Sequence, residues 1–293
     1  MEAFAELMST YNLRPILATS RDHSYDFFMP LTVLMWRKIV GAEPIVLLSE
    51  TEAEWAEGPG KVIRNALKEI EIPYTHVGKI EGYLASQCAQ SARQHVCALD
   101  LNESDVLMTA DVDMFPLSRD WYYLHDPEKW AVSLHYANAY GWPHPPYFCT
   151  NYVAATTTVW REIMGIKKTG EIATQLQQSF DRHLGRYHDS WQAWNFDELF
   201  FGARLIGSDW YPNSCQMILR GGGGPPDKRI DRSGWPASYD WSQEWIDTHL
   251  IRPGAVHDNW VRIRPLLQHW LPERMTWIYN YLLNYRRARY YGQ

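Results

Sequence analysis

The stretch Val106-Leu107-Met108-Thr109-Ala110-Asp111-Val112-Asp113 is an apolar run that ends in two carboxylates. A short apolar run of this length predicts a buried strand, here over residues 105–110. In an open α/β sheet, ligands bind outside the carboxyl ends of the strands, so Asp111 and Asp113 follow the strand where a site is expected. Two acidic groups this close repel each other unless a positive charge separates them.

A divalent cation would supply that positive charge. Hard cations bind carboxylate and phosphate oxygens together, so the pair is suited to hold a metal ion against a diphosphate. The alternative is structural, with the two aspartates capping turns or forming an ion pair with Arg119. The position of the pair directly after a strand favours the metal site.

Upstream of this stretch, strand and helix patterns alternate three times. Buried strands are predicted at residues 15–19, 45–48 and 74–77, because each is a short apolar run. Helical stripes lie between them, formed by Leu31, Leu34, Met35 and Ile39, by Val62, Ile63, Ala66, Leu67 and Ile70, and by Leu84, Cys88, Ala92 and Val96. The alternation predicts an α/β protein with a mostly parallel central sheet flanked by helices.

The pattern after Asp113 is less regular. Strand-like runs occupy residues 130–135 and 147–160, and a helix is predicted from Ile172 to Leu184. Residues 220–226 hold four glycines and two prolines, which predicts a mobile loop. The basic and aromatic segment 270–290 predicts a helix packed on the domain, with binding to a membrane surface as the alternative.

Composition excludes several classes of protein. A chain of 293 residues with 46% hydrophobic content can bury a large core, and its net charge of -6 gives no broad basic field for nucleic acid. The four cysteines show no zinc-ligand spacing, which predicts small buried thiols in a reducing compartment. Neither a signal peptide nor a membrane-spanning run is recognisable, so the sequence predicts a cytoplasmic protein without nucleic-acid partners.

The Asp111-Val112-Asp113 segment on the fourth strand resembles the DxD motif of glycosyltransferases with the GT-A fold, a Rossmann-like nucleotide-diphospho-sugar transferase fold. The resemblance implies a nucleotide-sugar donor, UDP-linked for preference, and Mn²⁺ or Mg²⁺ held by Asp111 and Asp113. It also implies one catalytic domain over 1–293, with a nucleotide-sugar-binding half at 1–115, an acceptor-binding half at 116–265 and a C-terminal helical segment at 266–293. The expected reaction is sugar transfer to a hydroxyl of a glycan or glycoconjugate acceptor.

The second point of resemblance is Trp194-Asn195-Phe196-Asp197-Glu198-Leu199. GT-A enzymes carry an acidic pair near this position, and it implies that Asp197 or Glu198 is catalytic. A base is needed because an acceptor hydroxyl is a weak nucleophile until its proton is removed. The alternative is that Asp197 is an ordinary N-cap of a helix starting at Glu198. Inverting transfer is slightly preferred, and retaining transfer stays open.

The third point is His257-Asp258-Asn259-Trp260, followed by Arg262 and Arg264. The resemblance implies a late histidine at the metal and a basic residue at the diphosphate, for which His257 and Arg262 are the candidates. Imidazole is a suitable manganese ligand beside oxygen donors. His249 and His269 compete for the same role, and a histidine of the core or the surface is the alternative for all three.

Weaker assignments come from strand ends and aromatic residues. The resemblance implies that Ala18, Thr19, Ser20 and Glu50 meet the base and ribose of the donor, while Arg93 either reaches the nucleotide or is solvated. Aromatic rings stack on sugars and also fill cores. The candidates for acceptor contacts are Trp142, Tyr147, Asn151, Trp191 and Trp194.

Three other functions compete with glycosyl transfer as explanations of this sequence. A phosphatase of the haloacid dehalogenase type also places two aspartates after a strand, but on its first strand, whereas this pair lies mid-chain. A non-catalytic carbohydrate-binding protein would explain the 15 tryptophans. A nicotinamide-dependent enzyme is disfavoured, because the turn after Thr19 lacks the GxGxxG needed for the pyrophosphate.

Overall fold

The computed structural model describes residues 11–139, 147–183, 194–220 and 228–292. Its strands are β1 (Leu13–Thr19), β2 (Ile45–Ser49), β3 (Tyr74–Gly78), β4 (Val106–Ala110), β5 (Met114–Pro116), β6 (Val132–His135), β7 (Val153–Thr156), β8 (Cys215–Ile218), β9 (Arg229–Asp231) and β10 (Asp247–His249). Its helices are α1 (Met29–Met35), α2 (Glu52–Trp55), α3 (Gly58–Glu69), α4 (Ala85–His95), α5 (Thr157–Met164), α6 (Ile172–His183), α7 (Phe196–Ile206), α8 (His257–Trp270) and α9 (Met275–Tyr290).

The strands form one larger and one smaller sheet. A seven-stranded, mostly parallel sheet has the order β3-β2-β1-β4-β7-β6-β8, and a three-stranded sheet has the order β5-β10-β9. Strand β7 is the exception, since it pairs antiparallel with both β4 and β6. The predicted α/β class, with helices flanking a mostly parallel sheet, is confirmed.

The predicted elements are largely present in the described residues, with one difference. The strand-like run 147–160 becomes helical at Thr157, because the Thr156 hydroxyl accepts the Val159 amide at 3.4 Å and caps α5. Trp160 therefore lies on a helix, where its indole donates to the Leu107 carbonyl at 3.0 Å. The loop predicted at 220–226 lies outside the described residues except for Arg220.

Contacts divide the chain into two compact units. Unit 1 contains 1–16, 80–110 and 122–224. In it, β6 pairs with β7 and β8, and α4 packs against α6 and α7. All four cysteines of the chain are buried, as predicted for small buried thiols.

Unit 2 contains 17–79, 111–121 and 225–293. Strands β2 and β3 pair in parallel, and helix α1 continues as a π-helical turn over Trp36–Val40. That turn stops at Gly41, whose φ of 75° suits glycine better than any residue with a side chain. The smaller sheet also lies in this unit, and α1 packs against its strand β5.

The C-terminal helix α9 is a packed helix, as predicted. It buries Ile278, Tyr281, Leu282 and Tyr285 and packs against α3. Its basic residue Arg289 serves this packing, since it donates to the buried Asp26 carboxylate at 2.6 Å. The membrane-surface alternative gains no support from this arrangement. In the described part of the chain, no helix has the length and apolar character needed to cross a membrane.

Candidate functional site

The smaller sheet of unit 2 determines the surroundings of Asp113. Strand β10 runs antiparallel to β5, with His249 opposite Met114, and the Leu250 amide donates to the Asp113 carbonyl at 2.8 Å. On its other edge, β10 runs parallel to β9, with His249 opposite Asp231. Residues opposite each other on neighbouring strands project to the same face of a sheet. The register therefore brings His249 beside Asp231, and the pairing of β10 with β5 also brings it close to Asp113, the residue before β5.

Three basic side chains surround the Asp113 carboxylate, which is only 4% exposed. Its Oδ2 atom lies 3.3 Å from Arg232 Nη1, 3.3 Å from His249 Nε2 and 3.4 Å from Arg252 Nε. The pKa of His249 is raised above its usual value. Burial alone would lower this pKa, but the hydrogen bond to Asp113 and the negative charge of Asp113 together have the larger effect. The site concentrates positive charge around a buried acid.

The two arginines differ in how firmly they are held. The guanidinium group of Arg252 lies over the Tyr25 ring, 4.4 Å from the ring centroid. Burial lowers the pKa of Arg252. The Arg232 side chain is 35% exposed. Both contacts to Asp113 are longer than the ~2.7–2.9 Å of charge-assisted hydrogen bonds. These guanidinium groups are therefore suited to exchange Asp113 for an anionic ligand.

The donor set near Asp113 has the chemistry of a manganese or magnesium site. Asp111 is half-buried and follows β4 directly, Asp113 contributes a second carboxylate, and His249 contributes an imidazole nitrogen. Oxygen donors with one imidazole suit Mn²⁺. Among the described residues, no three His, Cys, Asp or Glu side chains already converge as a closed metal cluster. These residue types suit Mn²⁺ or Mg²⁺ as ligands. For the cation to bind, the side chains of Asp111, Arg232 and Arg252 would have to move.

The other histidine candidates lie in different surroundings. His257 is exposed at the first residue of α8, and Arg262 is exposed one turn further along the same helix. His269 stacks on Trp241, with a centroid distance of 4.1 Å. The histidine that the fold brings to Asp113 is His249, which the sequence offered as a competing candidate.

The predicted base and ribose contacts lie at the ends of β1 and β2 in unit 2. Thr19 and Ser20 are buried and Ala18 is half-buried. The Arg21 amide donates to Glu50 Oε2 at 2.8 Å. Burial raises the pKa of Glu50, although this hydrogen bond by itself would lower it. Glu50 has a φ of 76°, which a residue with a side chain adopts only at a cost. Such strained residues cluster at ligand-binding sites.

The acidic pair of unit 1 has a different environment. Asp197 is buried, and its Oδ2 atom accepts hydrogen bonds from Arg93 Nη2 at 3.1 Å and from the Thr150 hydroxyl at 2.8 Å. Its backbone carbonyl accepts a third hydrogen bond, from Gln94 Nε2 at 2.7 Å. Arg93 and Asp197 are each 5% exposed. The expectation of a solvated Arg93 is therefore wrong, because the side chain is buried in an ion pair.

Helix α7 also corrects the capping alternative for Asp197. The helix begins at Phe196 after Asn195, so Asp197 lies within its first turn and does not occupy the N-cap. Glu198 follows in the same turn, 8% exposed, with its Oε1 3.4 Å from the Thr150 amide. Both carboxylates therefore contact Thr150, and Asp197 also forms an ion pair with Arg93.

The aromatic acceptor candidates are only partly described. Trp142 and Trp191 lie outside the described residues. Tyr147 donates its hydroxyl to Asn195 Oδ1 at 3.1 Å, Asn151 is half-buried, and Trp194 is 44% exposed. An exposed indole such as that of Trp194 is available for stacking on a ligand.

Sequence reasoning missed Asp231, Arg232 and Arg252. Each lies far along the chain from Asp113, and no local motif marks them as partners of a DxD segment. The one signal available was their clustering with His249 in the last quarter of the chain. Only the pairing of β5, β10 and β9 brings them together.

Comparison with known proteins finds no matching family model and no matching curated sequence. Solved structures do match. The galactosyltransferase LgtC, in complex with donor and acceptor sugar analogues, aligns over 90% of this chain and 94% of its own, with a TM-score of 0.47 and 11% identity. Mouse xyloside xylosyltransferase 1 aligns over 82% and 96%, with a TM-score of 0.42 and 11% identity.

A third structure aligns over a shorter part of the chain. It is a Drosophila galactosyltransferase 7 mutant in complex with manganese, UDP-Gal and xylobiose, aligned over 53% of this chain and 52% of its own, with a TM-score of 0.29 and 8% identity. All three proteins are glycosyltransferases.

Proposed function

We propose that the chain is a metal-dependent glycosyltransferase that moves a sugar from a nucleoside diphosphate, UDP for preference, to a hydroxyl of a glycan acceptor. The observation that carries the proposal is the buried Asp113 carboxylate, which follows a buried strand and an acidic neighbour and lies within 3.4 Å of His249, Arg232 and Arg252. Carboxylates suit a divalent cation, and arginines suit phosphate oxygens. The combination is suited to a metal-bound diphosphate.

The cation would be Mn²⁺ or Mg²⁺ held by Asp111, Asp113 and His249. When bound, it offsets the negative charge that grows on the leaving diphosphate. The proposal assigns the nitrogen ligand to His249 in place of His257, because His249 Nε2 lies 3.3 Å from Asp113 Oδ2 while His257 is exposed at the start of α8.

The remaining donor contacts belong to unit 2. Arg232 and Arg252 are proposed to turn from Asp113 to the diphosphate, where a planar guanidinium can bind two oxygens at once. Ala18, Thr19, Ser20 and Glu50 are proposed to meet the base and ribose. The left-handed backbone of Glu50, with its φ of 76°, supports a ligand contact there.

Glu198 is proposed as the residue that removes the proton from the acceptor hydroxyl. Asp197 is the weaker candidate, because a buried ion pair with Arg93 and a bond from Thr150 already engage its Oδ2 atom. This role belongs to an inverting reaction. In a retaining reaction, Glu198 would contact the substrate without acting as the base.

Thermal unfolding with a panel of nucleotide sugars, with and without manganese, tests the proposal. A ligand that binds only the native state raises the unfolding temperature, so a UDP-sugar should do so in the presence of the metal. Stabilisation by free sugars alone, with no response to nucleotides, would instead favour a carbohydrate-binding protein. The anomeric configuration of the product, read by NMR, then separates inverting from retaining transfer.

A further inference from the structure

Arg252 lies on the connection between β10 and α8, which spans residues 250–256. This connection has neither helix nor strand, so the position of the Arg252 side chain depends on the contacts that hold the connection. One of them is the hydrogen bond that the Leu250 amide donates to the Asp113 carbonyl at 2.8 Å. Others lie further along the connection and involve the segment after β1 and the C-terminal helix α9.

The connection packs closely against aromatic rings of the segment after β1. A Cβ atom at Gly254 would overlap the Phe28 ring and lie 3.1 Å from the Phe27 ring, so a larger residue would displace the connection or these rings. The Arg252 guanidinium group lies over the ring of Tyr25, which belongs to the same aromatic segment. The packing of Gly254 and the placement of Arg252 therefore depend on one short stretch of chain.

Helix α9 supplies a hydrogen bond to the same connection. Arg286 Nε donates to the Ala255 carbonyl at 2.6 Å. Ala255 is only 1% exposed, and a buried carbonyl that loses its donor costs free energy. A bond from an ionised donor is also stronger than one between neutral groups. Arg286 therefore fixes the backbone three residues after Arg252.

The same helix anchors the aromatic segment by other residues. The Tyr281 hydroxyl donates to the Phe27 carbonyl at 2.8 Å, and Arg289 donates to the buried Asp26 carboxylate at 2.6 Å. Helix α9 therefore holds both the connection and the rings on which the connection packs. Since Arg286 takes no part in these two bonds, we expect α9 to stay docked when Arg286 is replaced.

We propose that Arg286 is a positioning residue that, through the Ala255 carbonyl, holds the Arg252 guanidinium group beside Asp113, ready to bind the donor diphosphate. The inference rests on the proposed function for the role of Arg252 at the diphosphate. A side chain that is already in place loses less conformational freedom when the ligand binds, so positioning of this kind raises affinity. The C-terminal helix thereby takes part in donor binding.

The next residue of α9 provides a matched control. Arg287 is exposed on the same helix. Arg286→Met removes the donor to the Ala255 carbonyl and keeps a long unbranched side chain, while Arg287→Met makes the same chemical change at the exposed position. Arg286→Lys keeps a charged donor and is the conservative variant.

Titration with UDP in the presence of manganese gives the first test. We expect Arg286→Met to weaken UDP binding about 10-fold, Arg286→Lys to recover part of the loss, and Arg287→Met to bind like the parent. If Arg286 acts through Arg252, the double variant Arg286→Met/Arg252→Gln should bind no more weakly than Arg252→Gln alone. A merely structural role of Arg286 would instead give additive losses.

The metal-free protein gives a second, independent readout. The Nε–H group of Arg252, which lies 3.4 Å from Asp113 Oδ2, gives a ¹H–¹⁵N NMR signal that Arg252→Gln assigns by its absence. We expect this signal to be protected from exchange with water in the parent and in Arg287→Met, and to lose that protection in Arg286→Met. Denaturant unfolding checks that each variant is folded. Arg286→Gln, the milder change, replaces Arg286→Met if the latter does not fold.

The outcomes separate the inference from the proposed function. Unchanged UDP affinity and an unchanged Arg252 signal in Arg286→Met overturn the role of Arg286 and leave glycosyl transfer standing. Additive losses in the double variant, or equal losses in Arg286→Met and Arg287→Met, also overturn it, because the effect would then not pass through Arg252. A parent that binds no UDP with manganese overturns the proposed function, and the inference about the donor with it.

Discussion

Asp113 of unit 2 and Asp197 of unit 1 are both buried carboxylates with arginine partners, yet they are held differently. The arginine of Asp197 is 5% exposed and 3.1 Å away, and Thr150 donates to the same oxygen. The arginines of Asp113 are 35% and 21% exposed and lie at 3.3 and 3.4 Å. A fully buried ion pair supports structure, whereas contacts from partly exposed cations leave a carboxylate available for exchange.

This difference predicts two roles for residues that look alike in the sequence. Breaking a buried pair leaves an uncompensated charge and costs stability, while a partly exposed pair contributes little to stability. We therefore expect substitutions around Asp113 to affect ligand binding and turnover, and those around Asp197 to affect folding.

The largest effect is expected from Asp113→Asn. Loss of the charge should reduce transfer by about 1,000-fold, because the cation that stabilises the leaving group loses a ligand. The free energy of unfolding should change little, since the surrounding cations can reach solvent. Enzyme assays with calorimetric titration of UDP and manganese measure this, and Asp120→Asn, an exposed aspartate of the same segment, is the control. Full metal-dependent activity in Asp113→Asn would refute the site.

Glu198→Gln tests whether the second carboxylate of unit 1 differs in role from Asp197. The substitution should lower turnover by about 100-fold or more while donor affinity stays the same, because it removes the proposed general base and keeps the shape of the side chain. Steady-state kinetics give turnover, and titration with UDP and manganese gives donor affinity. Glu171→Gln, at an exposed glutamate of the same unit, should behave like the parent. Normal turnover in Glu198→Gln would place the base elsewhere.

Asp197→Asn and Arg93→Met test the structural side of the comparison. Each single substitution should lower the free energy of unfolding by about 3–5 kcal/mol, because it removes one charge of a buried ion pair. The double variant should lose less than the sum of the two, since neither charge remains. Denaturant unfolding measures all three. Additive losses would show that the two side chains stabilise the fold independently.

The smallest effect is expected from Arg232→Gln. Diphosphate binding should weaken about 10-fold, equivalent to about 1.4 kcal/mol, and the free energy of unfolding should change by less than about 1 kcal/mol. Arg262→Gln is the matched variant, because the resemblance assigned the diphosphate contact to that exposed arginine. If only Arg262→Gln weakens diphosphate binding, the result favours Arg262 over Arg232 as the arginine that contacts the diphosphate.

Local pattern in the sequence was sufficient for the first half of the fold. The strands at 15–19, 45–48, 74–77 and 105–110 all appear close to their predicted bounds, because each is a buried apolar run between helical stripes. The boundary between strand and helix within the run 147–160 was harder to predict, since an apolar segment can continue from strand into helix without a change of composition. There the cap at Thr156 decided the boundary.

The sequence by itself determined the α/β class, the acidic pair at the end of a buried strand and the resemblance to a glycosyltransferase, because these depend on residues that are neighbours along the chain. Tertiary structure alone decided which histidine meets Asp113, which arginines surround it and which carboxylate Arg93 neutralises. These choices depend on the register of β10 between β5 and β9 and on the packing of α4 against α7. Contacts between distant segments are set by which surfaces can be buried together, and no local spacing encodes that choice.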